Sequence, residues 1–378
     1  MQAGDTMKEL KAAVLVLADG TVFEGVSVGH EGHVCGEVVF NTSQVGYQEM
    51  LTDPSYAQQI LVFTQPHIGN VGVNVEDMEA KQVFLQGVVM RSFSHSASNW
   101  RAQDTLQNFL QQHKITAISD IDTRALTQHL RQHGSQNGCI MTAQGDETID
   151  NKKAQQLARE FPSLLGLDLA KEVSTKKPYT WDANNKTYNI VVYDFGVKQS
   201  ILNCLANVGC NITVVPAQTT AQEVLALKPD GIVLSNGPGD PAACTYAIAA
   251  IQELLKANIP IMAICLGHQL LALATGAKTQ KMKYGHHGAN HPVQNLKNGD
   301  VAISSQNHGF VVADNNLPSC LRVTYRSLFD GSIAGIEHTT APAFGFQGHP
   351  EAGPGPIELT SLFKHFISLM QVAHAKKN

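Results

Sequence analysis

This 378-residue chain lacks a large surplus of one charge: 27 Lys and Arg stand against 32 Asp and Glu, a net charge of -5. Without a basic face, neither nucleic acid nor an anionic membrane surface is an expected partner, which leaves neutral solutes and proteins. The seven cysteines, Cys35, Cys139, Cys204, Cys210, Cys244, Cys265 and Cys320, are odd in number and form no CxxC pair. They argue against a disulfide framework and for a reducing compartment, with the cytoplasm as the expected location. The N-terminal stretch carries Asp5, Lys8, Glu9 and Lys11 before a short apolar run from Ala12 to Ala18. That suits neither a secretion signal nor a membrane span. No internal repeat is found, and no G-x-x-x-x-G-K-[ST] loop that would cradle nucleotide phosphates.

The stretch that organises the rest runs Ile259-Pro-Ile-Met-Ala-Ile-Cys-Leu-Gly-His-Gln-Leu-Leu-Ala-Leu-Ala-Thr-Gly276. An apolar run breaks at Cys265, Gly267 permits a tight turn, and apolar residues at helical spacing continue to Gly276, a residue suited to the end of a helix. Strand, elbow, helix is the expected order, with Cys265 on the elbow. A nucleophile there projects from the carboxyl edge of a sheet, and backbone N–H groups of the following helix stabilise negative charge beside it. By residue type alone, a cysteine after an apolar strand also fits a buried core position.

The first part of the chain reads as short strands. Val14 to Leu17 and Thr21 to Glu24 flank an Asp19-Gly20 turn, and extended runs follow at Glu37 to Phe40, Gln59 to Thr64 and Val83 to Met90. Helices are expected at Gln103 to Gln112 and Thr123 to His133, the second capped by Asp122 or Thr123, then a strand at Cys139 to Thr142. From Gly145 to Asn185 the sequence is polar, with a helix at Lys152 to Glu160 and turn signals at Ser174-Thr-Lys-Lys-Pro178 and Asp182-Ala-Asn-Asn185. The expected division is therefore a strand-rich α/β domain at 1–150, a linker region at 151–187 and a second domain at 188–378.

In that second domain strands and helices alternate. Strands are expected at Asn189 to Tyr193, Asn211 to Val215, Gly231 to Leu234 and Pro260 to Ile264, with helices at Val197 to Val208, Ala221 to Leu227 and Thr245 to Lys256. This is the pattern of an open, mostly parallel α/β sheet, whose ligands sit at the carboxyl ends of its strands. Two loops meet that expectation, Ser235-Asn-Gly-Pro-Gly-Asp-Pro241 and the elbow itself. In Phe346-Gln-Gly-His-Pro-Glu351, Pro350 favours extended backbone at His349, and residues two apart in an extended segment face the same way. Glu351 can then reach the imidazole of His349, giving a nucleophile, a base and an orienter. The histidines of Tyr284-Gly-His-His-Gly-Ala-Asn-His291 have no companion carboxylate or cysteine at ligand spacing, so no metal is expected.

Asn236-Gly-Pro-Gly-Asp240, Cys265-Leu-Gly-His-Gln269 and His349-Pro-Glu351, in this order, resemble the class I glutamine amidotransferases, the triad family. Asn41-Thr-Ser-Gln-Val-Gly-Tyr-Gln-Glu-Met-Leu-Thr-Asp-Pro54 and Asp120-Ile-Asp-Thr-Arg124 are similar to the N-terminal domain of the carbamoyl phosphate synthetase small subunit. The resemblance implies that Cys265 attacks the side-chain amide of glutamine to give a γ-glutamyl thioester and ammonia. His349 would move the protons, Glu351 would hold its ring, and the N–H groups of Gly239 and Leu266 would bind the oxyanion. Glutamine would be held by Ser43, Gly237, Gly239, Leu266, Gln269, Asn307, Gly309 and Phe310, with Ser43 reaching in from the first domain. It further implies a heterodimer with a large subunit, which uses the ammonia, bicarbonate and two ATP to make carbamoyl phosphate for arginine and pyrimidine biosynthesis. ATP and its metal ions are then expected on the large subunit, and no cofactor on this chain. Another amidotransferase subunit, a free-standing glutaminase and a noncatalytic scaffold are the competing readings; the N-terminal domain speaks against the first two, the intact triad against the third. Two residues depart from the family pattern: Ala263 stands where the elbow often has glycine, and Gly353 where a serine is common.

Overall fold

The structure, a computed structural model, describes residues 10–143, 148–181, 187–315 and 317–375. The turn expected at Asp182-Ala-Asn-Asn185 and the charged residues Asp5, Lys8 and Glu9 lie outside the described residues. The chain forms two compact units, each drawn from separate segments. The first takes in Met1–Asn41, Gln58–Glu76 and Leu85–Pro162, and the second Thr42–Ala57, Asp77–Phe84 and Ser163–Asn378.

The strands of the first unit are β1 (Ala12–Leu17), β2 (Val22–Ser27), β3 (His33–Asn41), β4 (Gln59–Phe63), β5 (His67–Ile68), β6 (Gly87–Val89), β7 (Ser92–Phe93), β8 (Thr116–Ser119) and β9 (Gln136–Thr142). Seven of them close into a barrel in the order β1-β2-β8-β6-β4-β3-β9, and β9 pairs back onto β1. The first hairpin turns as its sequence suggests: Gly20 is left-handed, and the Asp19 carboxylate accepts from the Thr21 N–H at 2.8 Å. So small a barrel has little room inside. A Cβ on Gly138 would lie 2.6 Å from Val38 and 3.1 Å from Leu15, so glycine leaves the space these buried side chains fill.

The expected linker does not behave as one stretch. Its helix, Asn151–Glu160, buries Ala154 and Ala158 against Val14, Val16 and Cys139 of the barrel's outer face, and so belongs to the first unit. Ala170–Val173 and the strand β10 (Tyr179–Trp181) belong to the second. Burial of a small-residue face, which polarity of composition does not reveal, decides the division.

The second unit continues with β11 (Tyr188–Asp194), β12 (Cys210–Pro216), β13 (Gly231–Leu234), β14 (Ile261–Ile264), β15 (Thr279–Asn295), β16 (Val301–Val312), β17 (Leu321–Ser327), β18 (Ile333–His338) and β19 (Ala343–Phe346). With β10 they form one ten-stranded sheet, ordered β10-β12-β11-β13-β14-β19-β18-β17-β15-β16. The run β12-β11-β13-β14-β19 is parallel, whereas β18, β17, β15 and β16 extend it antiparallel. Alternate residues of the parallel strands face opposite layers. Val191, Tyr193, Ile232 and Leu234 pack with Val224, Ile251 and Leu270 of the helices Ala221–Ala226, Thr245–Lys256 and Leu266–Ala274. Ile190, Val192, Val233 and Met262 pack on the other side with Ile201, Leu205, Phe363 and Phe366 of the helices Gln199–Asn207 and Ser361–Ala375. This three-layer α/β arrangement brings the carboxyl ends of β11, β13, β14 and β19 to one edge.

Candidate active site

Cys265 follows the last residue of β14 and precedes the helix Leu266–Ala274, with φ 52° and ψ -105°. A non-glycine residue rarely holds that conformation, and the two elements joined across it enforce it here. The Cys265 N–H is bonded to Phe346 O of β19 at 2.9 Å, and the Gly267 N–H to Ser235 O, just past β13, at 3.0 Å. A Cβ on Gly267 would sit 2.2 Å from Leu234 O, so only glycine lets the helix start this close to the sheet. Ala263, inside β14, is fully buried and paired with Leu234 and Gly345. Its methyl group is accommodated in the strand, because the left-handed turn begins two residues later.

β19 delivers the histidine. His349 Nδ1 lies 2.7 Å from Glu351 Oε1, and its backbone N–H is bonded to Ser305 O of β16 at 2.9 Å. Since Glu351 occupies Nδ1, it is Nε2 that meets the Cys265 side chain. Nε2 is buried and has no hydrogen-bond partner of ordinary geometry among the described residues. Burial works against a charged imidazole, but the Glu351 carboxylate, helped by Cys265, outweighs it and pushes His349 up to about 10. Burial likewise opposes the Glu351 carboxylate, and the charges of Lys198 and His349 overcome it, holding Glu351 down at about 2.

Lys198 is the residue that the sequence did not announce. It lies just past β11, where Asp194 accepts from the N–H groups of Gly196 and Val197 at 2.9 and 2.8 Å and fixes the turn. Its side chain is 2% exposed and donates to Glu351 Oε1 at 3.0 Å and to Ala352 O at 2.8 Å, with Glu79 Oε1 at 3.7 Å. Burial disfavours this ammonium, yet Glu351, Glu79 and Asp53 raise its pKa. Glu79 itself is raised, chiefly by burial. The usable signal was position: a lysine just beyond the carboxyl end of a parallel strand. Gly353, the second departure, is left-handed, and a Cβ there would lie 2.1 Å from Glu79 Oε1, so glycine admits that carboxylate.

The remaining expected residues gather around the thiol. Asn307 O, on β16, is 3.5 Å from Cys265 Sγ; the Asn307 amide donates to Asp53 Oδ2 at 2.9 Å and its oxygen is 2.8 Å from His287 Nδ1. Gln269, on the elbow helix, donates to Phe310 O at 2.7 Å and Gln347 Oε1 at 3.1 Å, and Gln347 in turn approaches Cys265 Sγ at 3.9 Å. Gly309 leaves open space where a side chain would be. In the loop after β13, a Cβ on Gly237 would meet Phe195 O at 2.1 Å, and Gly239 is left-handed. Asn236 of that loop donates to Ser55 Oγ at 2.9 Å. The N–H of Leu266, in the first turn of its helix, lacks an intrahelical acceptor.

Ser43 does not come from the first unit. It is buried in the segment Thr42–Ala57, which belongs to the second unit and is tied to β15 by the Thr42 N–H bonded to His287 O at 3.1 Å. The expectation that the first domain lends this residue is therefore corrected: the chain leaves the barrel after β3 and packs into the second unit before Ser43. Asp53 arrives by the same segment and Glu79 by Asp77–Phe84. The histidines between Tyr284 and His291 lie on β15, and among the described residues no group of three or more His, Cys, Asp or Glu side chains is arranged to hold a metal ion. Also among them, no helix is long and apolar enough to cross a membrane.

An elbow cysteine with a histidine and a carboxylate from the neighbouring strand end, in an α/β sheet, defines the class I glutamine amidotransferase domain, and that family's profile matches residues 191–369. The profile of the carbamoyl-phosphate synthase small chain, CPSase domain, matches residues 15–140. The carbamoyl phosphate synthase small chain of Photorhabdus laumondii is 55% identical over an alignment that covers 98% of this chain and 98% of that protein. Those of Vibrio cholerae and Escherichia coli are each 55% identical over 96% of this chain and 98% of theirs. The chain belongs to the carbamoyl phosphate synthase small chain family.

Proposed function

We propose that this chain is the glutaminase subunit of a glutamine-dependent carbamoyl phosphate synthase. The observation that carries the reading is the buried line from Lys198 through Glu351 to His349, whose free Nε2 meets the thiol of an elbow cysteine. The Cys265 sulfur, with the His349 imidazolium beside it, attacks the amide carbon of glutamine. The leaving nitrogen takes its proton from His349, ammonia departs, and a γ-glutamyl thioester remains on Cys265. His349, now neutral, draws a proton from water as it attacks the thioester, and glutamate leaves. The N–H groups of Leu266 and Gly239 stabilise the oxyanion in both halves. Ser43, Gly237, Gln269, Asn307, Gly309 and Phe310 hold the glutamine.

The chain carries no phosphate-cradling motif, so the ammonia is used elsewhere. A large subunit, paired with this one as a heterodimer, takes it up with bicarbonate and two ATP and makes carbamoyl phosphate for arginine and pyrimidine biosynthesis in the cytoplasm. ATP and its metal ions belong to that subunit, and this chain works without a cofactor. The test measures glutamate and carbamoyl phosphate from glutamine with the wild type and with Cys265→Ser, each with and without the large subunit. Carbamoyl phosphate from glutamine is expected only with the wild type, and from added ammonia with both. Full-rate glutamate release without any partner would instead mark a free-standing hydrolase.

A further inference from the structure

Cys35 and Cys139 face each other across β3 and β9, far from the chemistry above in sequence and in a different unit. They are directly opposed in the antiparallel register. Their backbone pairing follows from the flanking bonds. The Thr142 N–H is bonded to Gly32 O of the β3 side, whereas Asn137 O accepts from Ala18 of the β1 side. Even-numbered residues of β9 therefore turn their backbone groups toward β3 and odd-numbered ones toward β1. Cys35 and Cys139 are thus a non-hydrogen-bonded pair, the closer kind, in which Cα atoms stand about 4.5 Å apart. That separation falls inside the range a disulfide spans.

The two thiols are free and already interact. Cys139 is fully buried on the barrel's outer face, beneath Ala154 and Ala158, while Cys35 at the rim of the same cluster is half-buried. The Cys139 thiol, whose Sγ lies 3.7 Å from Ile140 O, holds the neighbouring Cys35 below the usual thiol range, whereas the Cys35 sulfur and burial push Cys139 up. An accessible sulfur with thiolate character beside a buried partner is the arrangement of an attacking and a resolving cysteine.

We propose that Cys35 and Cys139 are a reversible oxidation site, which hydrogen peroxide converts to a cross-strand disulfide joining β3 to β9. The Cys35 thiolate attacks one peroxide oxygen, the O–O bond breaks, and the sulfenic acid forms as hydroxide leaves and is protonated. The Cys139 sulfur then attacks the Cys35 sulfur, the S–O bond breaks, and its hydroxide leaves as water with the Cys139 proton. Two thiols are oxidised and one peroxide is reduced to two waters.

The sequence makes the assignment unambiguous, because trypsin places Cys35 alone in the peptide 12–81 and Cys139 alone in 132–152. The full chain is treated with a small excess of peroxide, its remaining thiols are alkylated, and the digest is mapped with and without dithiothreitol. The expected result is a linked pair of these two peptides, lighter than their sum by two hydrogens and separated by the reductant. In the untreated chain Cys35 is alkylated before Cys139. A Cys139→Ser variant should stop at the Cys35 sulfenic acid, trapped by dimedone, and a Cys35→Ala variant should leave Cys139 reduced. Peroxide that leaves both peptides unlinked, or that carries wild-type Cys35 on to sulfinic acid, would overturn the proposal. Because the readout is a peptide bond map, oxidation of Cys265 and the fate of the glutaminase reading do not affect it.

Discussion

Lys198 and Glu351 form a fully enclosed ion pair, the ammonium donating to the same carboxylate oxygen that lies against His349. Neither charge has bulk water to fall back on. Removing Lys198 leaves Glu79 buried without its cation and Glu351 with His349 as its remaining counter-ion, and breaking a buried pair on one side typically costs about 3–5 kcal/mol. Lys198→Met is therefore expected to lower stability by about that much, measured by urea unfolding. Adding Glu79→Gln should restore part of it, because the carboxylate left without a cation is then gone; strict additivity of the two losses would contradict the coupling.

The charge on His349 rests on Glu351. With a folded value near 10 against an ordinary 6.5, His349 contributes stability that is fully present below 6.5 and is lost as pH rises through about 10. Glu351, held at about 2 against 4.5, contributes stability present above 4.5 and lost as pH falls through about 2. In Glu351→Gln the remaining influence on the imidazole is mainly burial, so His349 should become neutral near pH 7. Stability followed from pH 7 to 10 should then lose the alkaline decline due to this residue. Hydrolysis of glutamine should fall by about a hundredfold or more, as when a base loses its orienting carboxylate. An unchanged alkaline limb would mean that Glu351 does not set the charge.

Asp53 organises two loops at once, accepting from Asn307 at 2.9 Å and from Asn236 at 3.4 Å. Asp53→Ala removes both acceptors and frees Asn307 to turn. The expected signature is a several-fold higher KM for glutamine with a smaller change in kcat, measured on the assembled enzyme. A kcat loss at unchanged KM would place Asp53 in the chemistry instead.

Gly267→Ala places a methyl carbon against Leu234 O, where backbone and not a flexible side chain must move. Overpacking of this kind costs about 1–3 kcal/mol, and here it also displaces the elbow. Activity should fall more than stability does; wild-type turnover in this variant would show that the elbow geometry is not needed.

Much of this was readable because local and global signals agree. The elbow carries an apolar strand, a glycine that only close packing requires, and a helical run, so its geometry follows from one segment. The pairing of Glu351 with His349 was also legible, but a turn closed by the Ala352 N–H to His349 O at 3.1 Å makes it, not the expected extended segment. Lys198, Glu79 and Asp53 were not readable, since a buried lysine and an exposed one look alike until the fold shows which carboxylates meet it. The segment Thr42–Ala57 misled for a related reason: strand periodicity locates β3 and β4 but not the path between them, which carries Ser43 and Asp53 into the second unit. The parallel strands announced themselves by alternation with helices. β15 and β16 did not, because their histidines, glycines and asparagines at 284–291 and 306–309 lack the apolar alternation of a half-buried strand.

The most direct test is to quench glutamine turnover by the assembled enzyme with acid and map the tryptic peptide 257–278, in which Cys265 is the only cysteine. This peptide is expected to gain the mass of one glutamyl group, removed by hydroxylamine and absent from Cys265→Ser. Turnover of glutamine with peptide 257–278 unmodified under every quench, or a glutamyl group on another residue, would contradict it.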